Sequence, residues 1–79
     1  MVNVDIAVSK VLRKLREGKG MSQEDLAWQS GLHRTYISQL ERAKKSVTVK
    51  TLFKICKVLE IDSDLFLKEV NYEIDKLSS

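Results

Sequence analysis

Apolar residues return along this chain at intervals of three and four. Val4, Val8, Val11, Leu12 and Leu15 form the first such series and predict a helix over about residues 5–18. Gly18 and Gly20 flank Lys19 and end it in a tight turn. Ser22 opens "SQED", a capping-box pattern with Asp25 in the reciprocal position, and Glu24 and Asp25 suit the positive end of a helix dipole. A second helix over about 22–29 then turns Leu26, Ala27 and Ser30 inward, and Gly31 stops it with an expected positive φ. A third helix, about His33 to Arg42, touches the body through Ile37, Leu40 and either Tyr36 or Glu41. Thr48 caps a fourth over about 49–59, whose inner face is Leu52, Ile55, Cys56 and Leu59. Asp62 or Ser63 starts a fifth, with the stripe Leu65, Phe66, Val70, Ile74 and Leu77. The pattern predicts an all-α, compact five-helix bundle forming one domain over residues 1–79.

The third helix departs from the others. Arg34, Thr35, Ser38 and Gln39 give it a broad polar face, because positions 34 and 38, and 35 and 39, lie one turn apart. It follows the second helix through Gly31 and a few residues only. Leu26, Ala27, Leu32, Ile37 and Leu40 supply the apolar contacts of a helix-turn-helix, in which a small residue such as Ala27 permits close crossing.

Composition sharpens this picture. The chain has 79 residues, no proline and three glycines, which disfavours a turn-rich β architecture. The net charge is +3, unevenly spread: residues 1–60 carry 12 basic and 6 acidic side chains, and residues 61–79 carry 2 and 5. Between His33 and Lys57 there are seven Lys/Arg against one acid, Glu41, a patch suited to a polyanion. The single cysteine, Cys56, excludes an intramolecular disulfide and fits a reducing compartment. No signal peptide or membrane-spanning run is found, so a cytoplasmic location is expected. No nucleophile–base set, metal-ligand cluster or phosphate-cradling glycine loop is present, and neither an enzyme nor a cofactor nor a small-molecule ligand is expected.

The stretch "SQEDLAWQSGLHRTYISQLER" resembles the helix-turn-helix of the phage-repressor-like (Xre) transcriptional regulators. The resemblance covers about residues 8–66 and rests on Gln23, Leu26-Ala27, Gly31, Ile37-Ser38 and Leu40-Glu41-Arg42 together. Small size and the run "HRTYIS" are most similar to the controller proteins of restriction–modification systems. The resemblance implies a lambda-repressor-like domain that binds DNA. Three positions depart from the family pattern: His33 replaces a Ser or Thr cap, Ala43 a frequent Gly, and Val47 stands near a usual Pro. It also implies that Arg16 and Glu41 form a structural salt bridge between the first and third helices.

The chemistry of the polar face points the same way. A B-DNA major groove, about 12 Å wide, accepts one α-helix, and Arg34, Thr35, Ser38 and Gln39 carry the donors, acceptors and methyl that base edges need. Phosphate contacts are expected from Gln23, His33, Tyr36, Lys44, Lys45, Ser46, Thr48 and Lys50. His33 has no ligand-forming neighbour in sequence and is read as a helix cap. Trp28 either packs on the first helix or flanks DNA. One recognition helix reads few base pairs, so a homodimer on a palindromic double-stranded operator is expected, with half-sites about 34 Å apart. The fifth-helix stripe Leu65, Phe66, Val70, Ile74 and Leu77 is expected to form part of an isologous dimer interface. If the controller resemblance holds, the protein regulates its own gene and an endonuclease gene, with RNA polymerase as a further partner. The alternative is an antitoxin or other Xre-type repressor whose main task is to bind a partner protein, although this chain offers little length for a partner-binding extension.

Overall fold

Asn3 sets the start of helix α1 (Val4–Gly18) by accepting the backbone N–H groups of Asp5 and Ile6 at 2.9 and 3.3 Å. The computed structural model describes residues 3–78; residues 1, 2 and 79 of the expected domain lie outside the described residues. Ala7, Val8, Val11 and Leu12 of α1 enter the core, with Leu15 packed at its edge. Val4 does not join them: it stands 52% exposed in the first turn, and Ala7 occupies the inner position one turn on. The helix closes through Lys19, and Gly20 takes φ +68°.

The capping box forms as the sequence pattern indicates, and α2 spans Gln23–Ser30. Gly31 takes φ +71°, with Leu32 donating its N–H to the Ala27 carbonyl at 2.9 Å. A Cβ built on Gly31 would meet nothing within 4 Å, so backbone conformation, and not crowding, selects glycine there. Only Gly31, Leu32 and His33 separate α2 from α3 (Arg34–Glu41).

Ala43 then adopts φ +56°, a left-handed conformation that costs an L-residue more than glycine. Thr48 caps α4 (Val49–Leu59) by accepting the Thr51 N–H at 3.1 Å. Glu60 ends α4 with φ +56° and pairs with Lys19 across the molecule. The Asp62 carbonyl accepts the Phe66 N–H at 3.0 Å, which puts Asp62 at the cap position of α5 (Ser63–Ser78).

Helix α1 packs against α5 and α3, α2 against α3 and α4, and α4 against α5. The core joins Leu26, Ala27, Ile37, Leu40, Leu52, Ile55, Cys56 and Leu59 to the α1 residues. Phe66 and Val70 complete it at 1% and 4% exposure. Those two side chains were expected at a dimer interface. They are instead consumed inside the protomer, because α5 lies along α1 and turns this face inward. Ile74 is half-buried against the core, and Leu65 and Leu77 remain exposed. Among the described residues there is no strand and no buried side-chain nitrogen or oxygen without a hydrogen-bond partner.

Candidate nucleic-acid interface

The α2–turn–α3 unit fixes which side of α3 faces outward. Ile37, Leu40 and Glu41 are buried, so the opposite side of the helix, with Arg34 and Thr35, faces solvent. Arg34 and Thr35 are exposed, and Ser38 and Gln39 are half-buried. Arg34, Thr35 and Ser38 line one open cleft of about 270 Å³ together with Gln23 of α2 and Arg42 beyond α3. Gln39 does not line that cleft. Arg42 was not expected among the site residues. Its position, one turn after Ser38 and two after Arg34, is a usable signal, masked by its place at the end of the helix. Its Nε reaches the Ser38 carbonyl at 3.4 Å.

Beneath the cleft lies an ion pair. Arg16 donates Nε to Glu41 Oε2 at 2.5 Å and Nη2 to Oε1 at 2.9 Å, a fork-on-carboxylate geometry, and its Nη1 reaches the Met21 carbonyl at 2.6 Å. The side chains are 9% and 2% exposed. The hydrogen bond to Glu41 raises the pKa of Arg16 against the opposing effect of burial. Removing one member of such a pair costs about 3–5 kcal/mol by leaving a buried charge uncompensated. Gln23, half-buried, donates its Nε2 to Glu41 Oε1 at 3.1 Å.

The residues expected to touch phosphate divide into groups. His33 is exposed at the cap position of α3, but its side chain makes no cap bond, so the expected imidazole cap does not form. Lys44, Lys45 and Lys50 are exposed, and the Lys44 N–H is tied to the Gln39 carbonyl at 2.8 Å. Tyr36 is half-buried against the core. Ser46 and Thr48 are not free hydroxyl donors: Ser46 Oγ donates to the Asp5 carboxylate at 2.9 Å, and Thr48 Oγ1 to Thr51 Oγ1 at 2.9 Å. Phosphate contact at 46 and 48 would therefore fall to the backbone. Trp28 does not pack on α1. It is 86% exposed, beside a shallow, largely apolar cleft shared with Glu24, Ala27, Leu32, His33 and Arg34.

The site is thus a polar two-helix face backed by a buried ion pair. The helix-turn-helix family HTH_3 matches residues 12–66, and the chain belongs to this family of Xre-type DNA-binding transcriptional regulators. Within the family it is similar to restriction–modification controllers. Control protein C.BamHI of Bacillus amyloliquefaciens is 40% identical over 75% of this chain and 74% of its own length. Control protein C.SmaI of Serratia marcescens is 48% identical over 61% of this chain, and the match spans only 57% of that relative. The wild-type restriction–modification controller protein C.Esp1396I superimposes with a TM-score of 0.83 at 45% identity, over 90% of this chain and 91% of that one. The same controller is also known as a tetramer in complex with its natural 35 base-pair operator, with a TM-score of 0.82 to this chain. The family is one of regulators and not of enzymes. No helix among the described residues is long and apolar enough to cross a membrane.

Proposed function

We propose that the chain acts as a homodimer on a palindromic double-stranded operator, each protomer laying α3 in the major groove. Arg34, Thr35, Ser38 and Gln39 face base edges, joined by Arg42 at the groove's rim. Gln23, His33, Tyr36, Lys44, Lys45 and Lys50 grip phosphates on either side, with the backbone at Ser46 and Thr48. The observation that carries this reading is the state of the α3 face. Arg34, Thr35, Ser38 and Gln39 make no side-chain hydrogen bond to other described residues, and three of them open onto one cleft.

Exposed apolar side chains on the packed α4–α5 pair supply the dimer surface. Leu65 and Leu77, with half-buried Ile74, remain from the expected set; Val49 and Phe53, 69% and 56% exposed, extend it onto α4. The likeness to controller proteins supports a cytoplasmic role in which the dimer regulates its own gene and a neighbouring endonuclease gene. Activation would proceed through contact with RNA polymerase and repression through occupation of the promoter.

Selection of bound duplexes from a random DNA pool tests the proposal and should yield an inverted repeat. Arg34→Ala should then cost about 1–3 kcal/mol on the selected duplex and relax preference at one position per half-site. A loss of equal size on every sequence would remove Arg34 from base reading.

A further inference from the structure

Three polar side chains from three helices meet behind the α3 cleft, and one of them, Gln23, lines it. Arg16 of α1 clamps both oxygens of Glu41 from α3, and Gln23 of α2 donates its Nε2 to Glu41 Oε1 at 3.1 Å. Gln23 has one end in this buried cluster and also lines the cleft beside Arg34, Thr35, Ser38 and Arg42. An ionised carboxylate only accepts hydrogen bonds. Glu41 therefore dictates which edge of the Gln23 amide turns inward, and leaves the second Nε2 hydrogen to donate to an anionic ligand.

The surroundings suit an anionic ligand. Arg16 compensates the charge of Glu41, so the carboxylate does not stand as a bare repulsive charge behind the cleft. The capping box uses the N–H groups of Ser22 and Asp25 and leaves those of Gln23 and Glu24 at the start of α2. A glutamine free to rotate would lose rotamer freedom on binding, whereas one already held loses less.

We infer that Glu41, fixed by Arg16, is a positioning residue for DNA binding: it presets the Gln23 carboxamide for a backbone phosphate seated at the start of α2. This rests on the reading of Gln23 as a phosphate contact. The ion pair has two tasks, joining α1 to α3 and aiming a side chain on α2.

A double-mutant cycle tests it on the duplex recovered by selection. Replacing the pair with Arg16→Met and Glu41→Met removes the acceptor without stranding a buried charge, a change that such pairs often tolerate. Circular dichroism verifies the fold. Gln23→Ala should weaken binding about tenfold per half-site, or about a hundredfold for the dimer, as each protomer loses one charge-assisted hydrogen bond. The Met pair should weaken it by a similar factor in the wild-type background and by less than about twofold when Gln23 is already Ala. Losses that multiply in full would overturn the positioning role while leaving Gln23 as a contact. No loss from Gln23→Ala would overturn the contact itself and the inference with it. Should the Met pair fail to fold, ¹⁵N relaxation of side-chain amides in the free wild-type protein decides. The Gln23 carboxamide should be restricted relative to exposed Gln29, and equal mobility of the two would overturn the inference.

Discussion

Ser22 and Asp25 show how single residues set the start of α2. Ser22 Oγ accepts the Asp25 N–H at 3.0 Å, and Asp25 Oδ2 accepts the Ser22 N–H at 3.0 Å. The backbone hydrogen bond from Ser22 holds the Asp25 carboxyl below its ordinary pKa, with the Ser22 side chain adding to the effect. A carboxyl depressed in the folded state stabilises the protein above its unfolded pKa, and that contribution is lost as pH falls through the folded value. Wild type should therefore lose stability below about pH 4 that Asp25→Asn does not lose, because the amide has no proton to take up. Urea unfolding of both proteins at neutral and acid pH checks this; parallel losses would show that the box is electrostatically silent. Glu60, lowered by its hydrogen bond from Lys19, titrates in the same direction and remains in both proteins. Residue types legible in the sequence were those with local jobs: Ser22, Asp25, Gly31 and Thr48 announce caps and turns within four residues of themselves. Gln23 was legible as a helix-start residue but not as a partner of Glu41, 18 positions away, since local patterning carries no information about which helices meet.

At the scale of elements, the turn after α3 carries one of the two non-glycine residues, with Glu60, that take a left-handed conformation among the described residues. Ala43 sits at φ +56°, where the family often has glycine, yet the turn still closes through Ala43 N–H to the Leu40 carbonyl at 3.2 Å. The left-handed region costs an L-residue about 1–2 kcal/mol, and glycine loses roughly 0.5–1 kcal/mol more backbone entropy on folding. Ala43→Gly should thus stabilise the domain by about 0.5–1 kcal/mol, or a few degrees in Tm. An unchanged or lower Tm by calorimetry would mean that the turn accommodates alanine without strain. Helix boundaries were readable to within a residue or two because the 3–4 spacing of apolar positions and the caps agree. Which apolar residues reach the core was less readable. Val4 and Val8 share a spacing, but only Val8 is covered. On α4, Val49 and Phe53 continue the apolar pattern of Leu52 and Ile55 around the helix, and periodicity alone does not say where the core ends and a second face begins.

The whole molecule settles that question by how α5 lies. Packed along α1, it commits Phe66 and Val70 to the protomer and leaves Leu65 outside. Leu65→Asp should therefore divide the proposed dimer while the monomer keeps its helical signal, whereas Phe66→Asp should unfold the chain. Sedimentation at micromolar concentration, read beside circular dichroism, separates the two outcomes; an intact Leu65→Asp dimer would move the interface off this face. Cys56 of α4 lies in the core, 3% exposed, and burial pushes its thiol to a higher pKa. The thiolate, and not the thiol, attacks alkylating reagents, so modification waits for the bundle to open. Iodoacetamide should react slowly with the native protein, rapidly in denaturant, and more slowly still when DNA is added, because a ligand that binds only the closed form makes opening rarer. One internal sulfur thus turns the untagged chain into its own stopwatch for operator occupancy, and full-speed labelling of the native protein would show that the clock does not run.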